Sequence, residues 1–150
     1  MMISPSLRRI PSILAFSASL TATLALTGCS GSGDFESRVL QVSEEGSAFR
    51  LPDKVDGKNW DEVLVLCPYD QAPRNLDQAF VNAAADIDTN ASDASQWLLF
   101  RTADDVTTLT ISRSELEFCS LSHSGPSVYA QGTLWTSADK DGVAVMTPAT

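Results

Sequence analysis

Val63-Leu64-Val65-Leu66-Cys67 is apolar at every position, and no other stretch limits the possible folds as much. A strand with one wet face alternates polar and apolar side chains, whereas one without alternation suits cover on both faces. The run therefore predicts a strand at the centre of a sheet, ending at Pro68. Asn75 begins a helix, with Gln78 three residues on in the manner of a capping box and Leu76, Ala79, Phe80, Ala83 and Ala84 as its apolar stripe. That helix is expected to pack on the central strand.

Gln96 to Thr102 and Val106 to Ser112 read as a hairpin around Ala103-Asp104-Asp105, and Val128 to Thr136 with Val143 to Thr147 as another, turned by Asp139-Lys140-Asp141-Gly142. Near the front, Asp34 is placed to cap a helix carrying Phe35, Val39 and Val42, stopped by Gly46, with a short strand through Val39 to Val42 as the competing reading. Glu115 to Cys119 suits either a strand beside the central one or a short helix started by Ser112. The expected class is α+β, an antiparallel sheet of about four to five strands with one or two helices packed on one face.

Before all of this lies a leader of different composition. Arg8 and Arg9 form a positive end, an apolar run follows from Ile10 to about Ala25, and small residues precede Cys29. Pro11 breaks the run and Ser12, Ser17, Ser19, Thr21 and Thr23 dilute it, so it falls short of the roughly 20 apolar residues that a membrane helix needs. Leu26-Thr27-Gly28-Cys29 has an apolar residue three places before the cysteine and small residues between. In this the first 29 residues resemble the signal of a bacterial lipoprotein, and the stretch resembles its lipobox.

The resemblance implies cleavage between Gly28 and Cys29, with a diacylglyceryl group on the Cys29 thiol, the side chain whose ionised form attacks well. Two or three acyl chains, at about 0.8 kcal/mol per buried methylene, would anchor the protein stably. It implies a cell-membrane location on the extracytoplasmic face, and Ser30 in place of Asp resembles outer-membrane sorting in bacteria with two membranes. An ordinary secreted protein and an uncleaved anchor are the competing readings. Leu7 before Arg8-Arg9 and Pro11 after it argue against twin-arginine export, leaving export unfolded through the general pathway. Residues 1–28 are thus read as signal peptide, 29–34 as lipidated Cys and flexible leash, and 35–150 as a single soluble domain.

Removing the leader takes away two of the ten basic residues and none of the nineteen acidic ones, which moves the net charge from −9 to −11. Such a chain is repelled by nucleic acid and by anionic headgroups. Membrane contact is therefore expected through the lipid on Cys29, and an envelope protein or a glycan is the expected kind of partner.

Cys67 and Cys119 remain once Cys29 is lipidated, and an even remainder in an exported domain fits one disulfide. Two buried thiols, or a Cys67 nucleophile near His123, are the alternatives. His123 is the only histidine, in Ser122-His123-Ser124-Gly125-Pro126, and no Gly-x-Ser-x-Gly elbow accompanies it. Asp86-Ile87-Asp88-Thr89-Asn90 opens like a calcium loop, but Ala91 stands where the sharp turn needs Gly and Trp97 where the bidentate Glu should close the shell. A polar loop capping the preceding helix is the better account, and no metal or cofactor is expected.

Trp60, Trp97 and Trp135 sit at or inside expected strand ends, which favours core packing over a sugar platform. Tyr69 and Asp70, just after the central strand, lie where pockets often form. The expected function is that of a non-catalytic binding or assembly domain. An envelope hydrolase using His123 or Cys67 is one alternative, and a glycan or peptide binding module using Tyr69 and an exposed Trp is the other.

Overall fold

A computed structural model describes residues 31–71, 73–119 and 124–149. Gly28, Cys29 and His123 lie outside the described residues. In chain order the elements are helix α1 (Ser32–Ser43), strands β1 (Phe49–Arg50), β2 (Lys54–Val55), β3 (Lys58–Asn59) and β4 (Glu62–Leu66), helix α2 (Gln78–Ala84), then strands β5 (Ser95–Thr102), β6 (Asp105–Ser112), β7 (Leu116–Glu117), β8 (Ser127–Ala130), β9 (Leu134–Lys140) and β10 (Val143–Pro148). The class is α+β, as expected, but the strands are more numerous and form two four-stranded sheets and a two-stranded one instead of a single sheet.

One sheet is antiparallel throughout, in the order β6-β5-β4-β8. β4 is interior to it, and its alternation explains the unbroken apolar run. Val63, Val65 and Cys67 face one core with Leu98, Phe100, Leu109 and Ile111, while Leu64 and Leu66 face a second core with Trp97, Leu99, Phe80 and Ala84. Helix α2 covers the second face. Helix α1, through Phe35 and Val39, and the other sheet, through Leu116, Trp135 and Met146, cover the first.

That other sheet runs β1-β9-β10-β7, with β10 and β7 parallel and the remaining pairs antiparallel. The expected single strand from Val128 to Thr136 is therefore two. Ala130 accepts from the Thr133 amide at 2.9 Å, and this turn through Gln131-Gly132 carries the chain out of one sheet as β8 and into the other as β9. The last hairpin is confirmed, with Asp141 and Gly142 at φ 56° and 84°. Positive φ at both central positions matches the right-handed twist of the flanking strands. Asp56-Gly57, at 50° and 74°, turns the small β2–β3 hairpin in the same manner.

Both helices start elsewhere than expected. α1 takes in Ser32 and Gly33 from the supposed leash, and Asp34 sits inside its first turn, paired with Arg38 at 3.0 Å, instead of capping it. α2 begins at Gln78 because Asp77, not Asn75, is the cap: its Oδ1 accepts from the Ala79 amide at 2.9 Å. Gln78 bonds Asn82 along the helix at 2.8 Å and closes no capping box.

Glu115 to Cys119 contains β7, held by a buried side chain. Gln96 Nε2 donates to the Leu116 carbonyl at 2.5 Å, and Gln96 Oε1 accepts from the Phe118 amide at 2.8 Å. Both polar ends of a fully buried glutamine are thus satisfied. Immediately beyond, Cys119 is joined to Cys67 by a disulfide with Cα atoms 5.7 Å apart. The bond links the end of β4 in one sheet to the segment after β7 in the other.

Candidate functional site

Beyond β4 the chain must leave the centre of a sheet at Pro68, and it does so in a tight turn. The Asp70 amide donates to the Cys67 carbonyl at 3.1 Å, and Asp70 Oδ2 accepts from the Cys67 amide at 2.8 Å. Tyr69 occupies the position of the turn that Gly or Asn normally takes, with φ at 65°. For a bulky side chain this left-handed conformation costs about 1 to 2 kcal/mol.

What holds it there is the loop after α2. The Tyr69 amide donates to the Thr89 carbonyl at 3.0 Å, and Thr89 Oγ1 donates back to the Asp70 carbonyl at 2.8 Å. The loop itself is fixed by the Asn90 amide on Asp88 Oδ1 at 3.0 Å and by the Ile87 amide on the Ala84 carbonyl at 3.1 Å. Disulfide, turn and loop therefore form one braced unit.

Between turn and loop lies a cavity of about 550 Å³ with Leu66, Ala84 and Ile87 as its apolar lining and Tyr69, Asp70, Arg74, Asp88 and Asn90 as its polar one. Tyr69 is 67% exposed, the most exposed large hydrophobic side chain described. An aromatic face beside carboxylates, an amide and a guanidinium can stack on a sugar ring or a peptide side chain while the polar groups bond hydroxyls or amides. This is the chemistry of recognition.

Tyr69 and Asp70, marked in the sequence, are thus brought together with residues that sequence reasoning did not attach to them. The segment Asp86 to Asn90, read as a loop capping α2, follows that helix and supplies the second wall of the cavity through Ile87, Asp88, Thr89 and Asn90. Arg74 was missed, since nothing in its neighbourhood signals a site. Among the described residues no group of three or more His, Cys, Asp or Glu side chains is arranged to hold a metal.

A platform built on tryptophan is ruled out by burial. Trp60 and Trp135 are 2% exposed and Trp97 9%. Trp60 stacks edge-on against Phe100 and donates to the Pro52 carbonyl, while Trp135 packs edge-on between Phe118 and Tyr129. The Cys67 sulfur is committed to its bond with Cys119 and supplies no thiolate in this state.

No family model, characterised protein or solved structure matches the chain.

Proposed function

We propose that the chain is a lipoprotein of the bacterial cell envelope, cleaved after Gly28 and acylated on Cys29, whose α+β domain works by binding a partner at the Tyr69 site. The lipid holds the protein on the extracytoplasmic face of its membrane, the outer one where the source has two. The partner is an envelope glycan or a peptide segment of an envelope protein.

The observation that carries the binding reading is Tyr69 itself. A large ring kept in an unfavourable backbone conformation, braced from two sides and left two-thirds exposed, contributes little to the fold and much to a surface. The lipobox supports the anchoring. No helix among the described residues is long and apolar enough to cross a membrane.

The test is photo-crosslinking inside the native envelope, with the reactive side chain placed at Tyr69 and, as a control, at the exposed Thr110 on β6. One product found from position 69 and absent from 110 is expected. Identical products from both positions, or none from 69, would reject the site.

A further inference from the structure

A chain with so large an acidic excess has few cations to place, and the fold puts three of them in one cleft. Arg38 reaches it from α1, Arg50 from β1 and Lys54 from the first position of β2, around a cavity of about 440 Å³ that Val42 and Pro52 also line. Of the other cations, Arg101 is committed to Glu62 at 2.5 Å and Arg113 to Glu117 at 2.7 Å. Arg38 pairs with Asp34 at 3.0 Å and ties the cleft together by donating to the Lys54 carbonyl at 3.2 Å. Its Nε is buried and has no hydrogen-bond partner.

Arg50 and Lys54 are different. Arg50 is held through Nε, which donates to the Gly132 carbonyl at 3.3 Å, so both terminal nitrogens of its fork are left for another acceptor. Among the described residues neither Arg50 nor Lys54 has a carboxylate within ion-pair distance, although Asp53 lines the same cleft. Two unneutralised cations from successive strands of the chain, one a planar fork and one a point charge, match the anionic oxygens of a phosphate group.

We propose that this cleft binds a phosphate group, with Arg50 and Lys54 as its direct ligands. This goes beyond the Tyr69 site and requires nothing from it. The phosphate has two sources of the same chemistry, a free phosphoester and a phospholipid headgroup. The second gains from position, because α1 starts three residues after Cys29. If that cysteine is acylated, the cleft lies on an element adjoining the bilayer.

Calorimetric titration of the full chain in neutral detergent separates the sources. One arm adds inorganic phosphate at fixed ionic strength. The other adds micelles doped with phosphatidylglycerol or with phosphatidylcholine. Binding is expected in the phosphate arm, in the phosphatidylglycerol arm or in both, and never with phosphatidylcholine alone. Lys54→Gln and Arg50→Gln should each weaken it about tenfold. Lys140→Gln, which removes the same charge at the end of β9, should leave it unchanged. Phosphate binding without micelle binding identifies a free phosphoester, and the reverse identifies a headgroup. No binding in either arm, or equal weakening by all three variants, would overturn the proposal.

Discussion

At the scale of single residues, Tyr69 pits a local cost against a surface role, and the two can be separated. Tyr69→Gly relieves a left-handed conformation worth about 1 to 2 kcal/mol, while the extra freedom of glycine in the unfolded chain returns about 0.4 to 1 kcal/mol. Since the ring is largely exposed, little packing is lost. The variant should therefore be as stable as the parent or up to about 1 kcal/mol more stable by urea unfolding, yet lose the crosslink that a reactive side chain at Asn90, on the facing wall of the cavity, gives in the parent. Glu36 shows a cost of another kind. Burial, and secondarily the charge of Glu115, raises its pKa above the ordinary 4.5. The folded state then holds this proton more tightly, so its stabilising effect is full at acid pH and is lost as pH rises through the raised value. Glu36→Gln should unfold at a higher temperature than the parent at pH 7 and show no advantage near pH 4. The gain should be a few tenths of a kcal/mol, since solvent screens a group this exposed.

Among elements, β7 is the one whose place depends most on a side chain. Gln96→Leu keeps the volume but strands the Leu116 carbonyl and the Phe118 amide inside the core, a loss of about 2 to 4 kcal/mol. Unfolding within about 0.5 kcal/mol of the parent would show that water or another group satisfies both. The disulfide closes a separation of 52 residues, which in the chain-entropy model is worth about 4 kcal/mol. Urea midpoints with and without reductant should differ accordingly. Legibility also varied by element, for physical reasons. β4 was plain because burial on both faces leaves Val63 to Leu66 without a polar position. The β5–β6 and β9–β10 hairpins were plain because a β-rich run or an alternating one meets turn residues on each side. β1 and β7, at two residues each, are too short to carry a period, and neither the β8–β9 break nor the site wall at Thr89 has a local cause. Asn75 and Asp77 are both good caps, and only packing chooses between them.

On the scale of the whole molecule, periodicity tells which residues lie in strands but not which strands pair, so two sheets were read as one. The anchoring proposal belongs at this scale too. Cys29→Ser cannot accept the acyl group, because a hydroxyl does not replace the thiolate in that transfer. Membrane fractions should lose the protein or retain an unprocessed precursor, and labelled fatty acid still found on the variant would reject the assignment. Charge reaches across the molecule in the same way: with −9 on the full chain, and −11 if the leader is removed, any attraction to anionic groups must be local, as in the Arg50–Lys54 cleft.

The pairing of β1 with β9 sets Phe49 opposite Trp135. A chain that emerges N-terminus first presents β1 long before its partner β9 follows. Met146, fully buried in the shared core, arrives later still. Such distant pairing makes for slow closure, and a chain lacking its last strand would keep part of one face of the β4 sheet uncovered. Arrival of the distant β9 and β10 segments is thus a condition for closing the core that β1 and α1 begin.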